Sequence, residues 1–431
     1  MKASGYGITD LGKKRTVNDD YLLIDDSLRL FVVCDGVGGH VSGNIASELC
    51  AQTVKQVISE NRALITKYNA EPTLKNRALV AGALQKAVLS ANEKIFQLAE
   101  IDVTKRGMCT TLVALLVLED YAVIGHVGDS RVYILRGQKI HQLTEDHKYS
   151  NEMVKNGTLT AEEAARSPHG NVLSRAVGYQ KLVDVDTLQL ELLSGDTFLL
   201  CSDGLTEYFE KPELASQILG TSSENLPKLP AQLVRLANER GGRDNITALT
   251  VKVEATRDNA SENLNILKKM EIVGKIPLFR YLSFQDVTKL LSLAQVRKFP
   301  SGTPLVQEGS SSEEMFIIAQ GRVSVKKSGT VVAERGKGEI IGEMGLFDHA
   351  PRSASVHATE DTVALVLERK ELLSLLRKDS QLSVKFLWAL THDLNQRLRA
   401  ATENMVGTKA PPPLESGTVP FEISLDQSTW R

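Results

Sequence analysis

The sequence predicts an α+β protein in two units, a layered assembly of strands and helices followed by a small β-roll with flanking helices. Three observations predict it. Short apolar runs bounded by turn residues alternate with stretches of helical period from the start to about residue 253. The segment Glu254–Asn263 is polar and has no strong apolar period, which marks a boundary. From Phe299 to Leu367, Gly302, Gly309, Gly321, Gly329, Gly336 and Gly338 cut the text into short strands, the pattern of a small roll or barrel.

In chain order, Leu28–Cys34, Thr111–Leu118, Tyr121–Val127, Val132–Leu135, Asp196–Cys201 and Thr247–Val253 read as strands. Gly43–Asn61, Arg77–Ile101 and Leu229–Glu239 carry the spacing of amphipathic helices. A helix is expected at Leu264–Gly274, and helical period returns over Glu371–Asn404 with a break near Asp379. The tail from Gly407 carries Pro411-Pro412-Pro413 and little apolar period, so it is expected to be flexible. The expected division is 1–253, a linker over 254–263, a second domain over 264–405 and a tail over 406–431.

With 431 residues, 42% hydrophobic and 24% charged, the chain has apolar material for more than one core. A formal net charge of −2 gives no general attraction to nucleic acid or membrane, and neither is expected as a partner. Among Cys34, Cys50, Cys109 and Cys201 no pair has zinc-site spacing, and three lie in apolar runs as small hydrophobes, which favours a reducing compartment. Met1–Gly7 is no apolar leader and no later run is long enough to cross a membrane, so cytoplasm is the expectation.

Acidic residues recur where apolar strands end. Leu30–Cys34 runs into Asp35-Gly36, Phe198–Ser202 into Asp203-Gly204, Ile124–Gly128 into Asp129-Ser130, and Asp244-Asn245 precedes the last strand of the first unit. Asp-Gly is also an ordinary turn dipeptide. Several carboxylates meeting at one end of a sheet would repel one another, and an oxygen-only set that is compensated by a cation points to Mg²⁺ or Mn²⁺.

Read together, these strings resemble the metal-dependent type 2C serine/threonine protein phosphatases. Arg15-Thr16-Val17-Asn18-Asp19-Asp20, Asp35-Gly36-Val37-Gly38-Gly39-His40, Gly128-Asp129-Ser130-Arg131, Leu143-Thr144-Glu145-Asp146-His147, Leu173–Gly178, Ser202-Asp203-Gly204-Leu205 and Gly242-Arg243-Asp244-Asn245 fall in the family's order over nearly all of residues 1–253. The resemblance implies an α/β/β/α sandwich with two metals in a cleft at one end. Carried over by position, Asp35 bridges both metals and Asp203 and Asp244 complete the first. Asp19 and the Gly36 carbonyl serve the second, with Asp20 beside them holding a water, and Arg15 holds phosphate. Asp129 and Asp203 match the ligands of a third metal, for which Glu207 stands where Asp is more usual. The implied chemistry is attack in line on phosphorus by a water made acidic between two cations, with no phosphoenzyme. Val37 stands where some relatives carry a His thought to protonate the leaving group, and Cys109 replaces a more usual Gly. His40 and His147 lie in matching motifs and read as structural or catalytic. Met153–Ala164 resembles the bacterial flap beside the active site, or reads as an ordinary surface helix. Ser/Thr-phosphorylated proteins are the implied partners, a bacterial Ser/Thr kinase or its substrates among them.

The run Ile341-Gly342-Glu343-Met344-Gly345 followed by Arg352-Ser353-Ala354 resembles the phosphate-binding cassette of the cyclic-nucleotide-binding family, and the likeness covers about residues 265–400. A helix start offers free N–H groups to an anion. By position Gly342, Glu343, Met344 and Gly345 wrap the ribose-phosphate, Arg352 pairs with the cyclic phosphate, and Ser353 and Ala354 complete the contact. Ser353 does not choose between cAMP and cGMP; cAMP is the expectation. The leading expectation is a phosphatase modulated by the nucleotide; the alternatives are a catalytically weak or inactive cyclic-nucleotide sensor or scaffold, and an active phosphatase whose roll has lost its ligand and serves as a docking module. Trp388, Leu390, Leu394 and Leu398 read as a lid over the base or as packing on the roll.

Overall fold

The computed structural model describes residues 1–37, 42–167, 170, 172–222, 224–254, 276, 279, 282–343, 345 and 350–406. Gly38, Gly39, His40, Met344, most of the expected linker (255–263), the expected helix Leu264–Gly274 and the tail from Gly407 lie outside the described residues. The chain divides into two units, Met1–Asn259 and Ala260–Arg431.

The strands of the first unit are β1 (Lys2–Asp10), β2 (Asp20–Asp25), β3 (Leu30–Val37), β4 (Cys109–Thr110), β5 (Leu112–Val117), β6 (Tyr121–Val127), β7 (Arg131–Arg136), β8 (Lys139–Gln142), β9 (Asp186–Glu191), β10 (Thr197–Cys201) and β11 (Ile246–Glu254). Its helices are α1 (Gly43–Glu60), α2 (Arg62–Ala70), α3 (Leu74–Ile101), α4 (Tyr149–Lys155), α5 (Ala161–Arg166), α6 (Asp203–Thr206), α7 (Lys211–Leu219) and α8 (Leu229–Arg240). One antiparallel sheet runs β1-β11-β10-β7-β8; the other runs β2-β3-β5-β6-β9, with β4 beside β3.

Alternation along each strand assigns the layers. Leu30, Val32 and Cys34 of β3 pack with Ala46, Cys50 and Val54 of α1 and Leu84, Val88 and Ile95 of α3. On the far side, Leu199, Cys201, Ile246 and Ala248 pack with Leu214 of α7 and Leu229, Leu233 and Ala237 of α8. Between the sheets the spacing is tight: a Cβ on Gly5 of β1 would strike the Phe31 ring, and one on Gly7 would lie 3.0 Å from Leu22 and 3.1 Å from Leu249. The result is an α/β/β/α sandwich.

The apolar strands fall close to expectation. Tyr121–Val127 coincides with β6, while the run expected from Leu28 forms β3 two residues later and carries on through Asp35 and Gly36 to Val37. Strands β1 and β2 were not expected. Gly5 and Gly7 remove the side chains that would have shown the alternation in β1, and the apolar run of β2 is only Tyr21-Leu22-Leu23-Ile24 between acids.

The second unit contains β12 (Gln295–Phe299), β13 (Pro304–Val306), β14 (Glu314–Gln320), β15 (Val323–Lys327), β16 (Thr330–Arg335), β17 (Ile340–Ile341), β18 (Ser355–Ala358) and β19 (Thr362–Glu368), in sheets β12-β19-β14-β17 and β13-β18-β15-β16. Phe316, Ile318, Val323, Val356 and Val366 fill the roll between them. Helices α9 (Phe284–Leu291), α10 (Arg369–Lys378) and α11 (Ser380–Val406) flank it. The break between α10 and α11 falls at Asp379, whose Oδ1 accepts the Leu382 N–H at 2.9 Å and whose Oδ2 holds Lys289 of α9 at 2.6 Å. Leu390 is buried with Phe386 against the roll, whereas Trp388, Leu394 and Leu398 are exposed.

Candidate functional site

Asp20 opens β2 and Asp35 sits near the end of β3, and the ladder sets them directly opposite one another. Like charges facing across a ladder repel. Asp203 begins α6 just after β10, and Asp244 stands two residues before β11, so the other sheet brings two more acids. Hydroxyls stitch the sheets together here. Asp20 Oδ2 accepts from Ser202 Oγ at 2.7 Å and from Thr247 Oγ1 at 2.6 Å, and Ser202 Oγ accepts the Thr247 N–H at 3.0 Å.

Asn245 positions the neighbouring loop. Its Oδ1 accepts the Asp19 N–H at 2.8 Å, and its amide donates to the Leu11 and Val17 carbonyls at 3.0 Å each. Asp19 Oδ1 accepts the Asn44 N–H at 2.9 Å, at the amino end of α1 where a carboxylate is favoured. Gly36 is required by close approach: any Cβ there would run into the Gly43 carbonyl and stand 2.7 Å from the Asp19 carbonyl. Arg15, half exposed, donates to Asp244 Oδ2 at 2.6 Å.

The carboxylates strain one another electrostatically. Burial, then Asp20, Asp203, Asp129 and Asp244, holds the Asp35 carboxyl well above its ordinary range. Burial pushes Asp20 up to about 7 against the pull of Thr247 and Ser202. Burial and Asp129 push Asp203 up to about 6, with Lys148 opposing. Asp20 Oδ1 is buried with no hydrogen-bond partner among the described residues. An all-oxygen set with an orphaned carboxylate oxygen and mutual repulsion fits hard divalent cations such as Mn²⁺ or Mg²⁺.

In the second unit, Arg352 is 7% exposed and folded into the Gly342–Gly345 turn. It donates to the Gly342 carbonyl at 3.0 Å, to Ser312 Oγ at 3.4 Å and to the Glu314 carbonyl, while its Nε has no partner among the described residues. Burial lowers its pKa. Gly342 has φ +80, and a Cβ on Gly345 would lie 3.0 Å from the guanidinium. Glu343 is engaged by Arg397 of α11 at 2.9 Å, and Arg397 also holds Asp393 at 2.7 Å. Ser353 is exposed and Ala354 half-buried. A buried guanidinium bonded mostly to backbone carbonyls fits an anion such as a cyclic phosphate.

A family model of protein phosphatase 2C matches residues 12–236, more than half of the chain. The chain belongs to the protein phosphatase 2C family. A serine/threonine phosphatase stp of Listeria monocytogenes is 35% identical over 252 residues, spanning 58% of this chain and 95% of that protein. Protein phosphatase PhpP of Streptococcus pneumoniae is 36% identical over 257 residues, 57% of this chain and 96% of PhpP. The solved serine/threonine phosphatase of S. agalactiae is 34% identical with a TM-score of 0.51, covering 58% of this chain and all of that one. A model of the cyclic nucleotide-binding domain matches residues 296–379. The protein is thus a metal-dependent serine/threonine phosphatase with a cyclic nucleotide-binding domain in its second half.

Around the phosphatase cluster, Asp129 is buried and paired with Lys148 at 2.9 Å. Glu207 is exposed and paired with Arg243 at 3.2 Å. Val37 is exposed at the end of β3, and Cys109 packs beside it with Sγ 3.7 Å from the Val37 carbonyl. His147 is buried; its Nδ1 accepts the Gly128 N–H at 3.0 Å and so props the Gly128-Asp129 turn. His126, His147 and Asp186 approach closely enough to share an ion. Arg175 already holds Asp186 at 3.0 Å, and His147 Nδ1 is taken by the backbone. Sequence reasoning assigned no role to Asn245, Ser202, Thr247, Lys148 or Arg397. Asn245 and Ser202 stood inside the motifs, but a hydrogen-bonding role leaves no mark on an amide or hydroxyl in a sequence.

Proposed function

We propose that the phosphatase hydrolyses phosphoserine and phosphothreonine in proteins at the Asp35 cluster. Asp35, Asp203 and Asp244 would hold one divalent cation, and Asp35, Asp19 and the Gly36 carbonyl a second, with Asp20 beside them holding a water. The observation that carries this reading is the facing pair of buried Asp20 and half-buried Asp35, whose carboxyl is raised by desolvation and by Asp20 and Asp203 among others, with Asp20 Oδ1 unpartnered among the described residues. When bound, such cations supply Lewis-acid activation of water and offset charge on phosphoryl oxygens. Arg15 keeps guanidinium donors beyond the one given to Asp244, and these suit two phosphoryl oxygens. Ser202 and Thr247 engage one oxygen of Asp20 and leave the other without a partner among the described residues, where it would hold a water. Of the cysteines, Cys109 is pushed by burial up to about 11 and Cys201 up to about 12, which keeps these two as thiols. Hydrolysis without a phosphoenzyme is the proposed course. A phosphopeptide assay with Mn²⁺ tests it: Asp35→Asn and Asp203→Asn should abolish turnover in folded protein, and activity surviving either change would refute the assignment.

The same proposal makes the second unit a cyclic-nucleotide sensor that modulates the phosphatase, with cAMP favoured over cGMP and the protein acting in the cytoplasm on targets of bacterial Ser/Thr kinases. What supports it is the buried Arg352 in its glycine turn, with Glu343 beside it. Coupling of about 1–3 kcal/mol is typical, so a several-fold change in rate is expected. Calorimetry with cAMP and cGMP, using Arg352→Ala as control, and phosphatase assays titrated with both nucleotides test it. Absence of binding by the parent chain would reduce the roll to a docking module.

A further inference from the structure

The resemblance implied a third metal at Asp129 and Asp203 with Glu207 in support, and the residues present do not fit one. Lys148 stands immediately before α4, held there by its own N–H to the Asp146 carbonyl at 3.0 Å and by a bridge to Leu173. Its ammonium reaches inward to Asp129 Oδ2 at 2.9 Å, with side chains only 14% and 7% exposed. Asp146 lies farther off, at 3.8 Å, and is already taken by Arg131 through two bonds of 2.8 and 2.7 Å. Lys148 therefore serves Asp129 first, and its charge is also felt at Asp203. The third expected ligand is absent from the pocket in practice: Glu207 is 43% exposed and turned to Arg243.

We propose that Lys148 is a built-in cation in place of a third divalent ion, so that this phosphatase works with two. The proposal rests on the binuclear reading above. An ion entering at Asp129 would have to displace an ammonium from a buried pair and then sit beside that like charge, with the more distant Asp146 already engaged by Arg131. Because Lys148 is the residue from which α4 starts, the same contact fixes the root of the Met153–Ala164 segment to the acidic cluster. A dissociable ion would tie that segment only while bound; a covalently attached ammonium does so at any Mn²⁺ concentration.

The experiment counts ions. Mn²⁺ bound per chain is measured by equilibrium dialysis with elemental analysis for the full chain, for Lys148→Ser and for Lys148→Met, the last keeping the bulk of the side chain without its charge. Two ions in the parent and three at saturation in either variant is the expected result. Three ions in the parent, falling to two in Asp129→Asn, would overturn the inference and leave the binuclear reading intact. Two ions in the parent and in both variants would also overturn it, because Lys148 would then not be what excludes the third. Fewer than two in the parent would bring down the binuclear reading and this inference with it.

Discussion

Replacing Asn245 by Ala should loosen the acidic cluster without touching a carboxylate. Asn245 is 4% exposed and its side chain makes three hydrogen bonds, accepting from the Asp19 N–H and donating to the Leu11 and Val17 carbonyls. Each is worth about 1 kcal/mol net, and the partners left behind lie in a part-buried turn with no substitute. The expected loss is therefore about 3 kcal/mol from the first unit. The turn carrying Asp19 and Asp20 would also lose its tie to Asp244-Asn245, so the Mn²⁺ concentration for half-maximal activity should rise. Urea unfolding, following the transition that shifts with Mn²⁺, reads the first quantity; a Mn²⁺ titration of phosphopeptide hydrolysis reads the second. A change under about 0.5 kcal/mol, typical of an idle surface position, with an unaltered Mn²⁺ titration, would refute the reasoning.

Arg136 and Asp196 form a pair with side chains only 8% and 1% exposed, so Arg136→Met should cost about 3–5 kcal/mol by stranding Asp196; unfolding within experimental error of the parent would contradict this. Burial would raise Asp25, but Ser27, Lys55 and the Leu28 N–H outweigh it and hold the carboxyl at about 2 against an ordinary 3.8. A depressed folded value means stability present above the unfolded value and lost as pH falls toward about 2. Asp25→Asn should therefore melt lower than the parent at pH 5, and the gap should close by about pH 2; a pH-independent gap would argue against the assignment. Freeing Glu343 by Arg397→Ala should tighten cyclic-nucleotide binding about 3- to 10-fold in calorimetry, since a ribose hydroxyl would no longer compete with an ion pair worth about 1 kcal/mol. Unchanged affinity would show that Arg397 leaves Glu343 available.

The parts of the fold that announce themselves in the sequence are those buried on both faces. Leu112–Val117 and Tyr121–Val127 are buried at every position, so their text is apolar throughout the first and in all but Gly125 and His126 of the second. Strand β1 has one buried residue in nine and two glycines facing the other sheet, and helix α6 has only four residues, so neither leaves a period to detect. The same division holds at the site. Asp35, Asp203 and Asp244 could be picked out because each follows or precedes an apolar strand beside small residues. Lys148 and Arg397 could not, because the carboxylates that give them meaning lie 19 and 54 positions away in the chain. A lysine at a helix start and an arginine on an amphipathic helix are each most simply a solvated charge.

The stitching of Asp20 to Ser202 and Thr247 carries a mechanical consequence. The acids of the centre are contributed by two different sheets, and those hydroxyls span the seam between them. Any sliding of one sheet over the other would change the bite of the donor set, so under the proposed assignment cations seated there would act as rivets against shear as well as reagents. Amide exchange at the Asp19–Asp20 and Asp244–Asn245 turns should slow on adding Mn²⁺ by more than exchange in α3, which packs on one sheet alone.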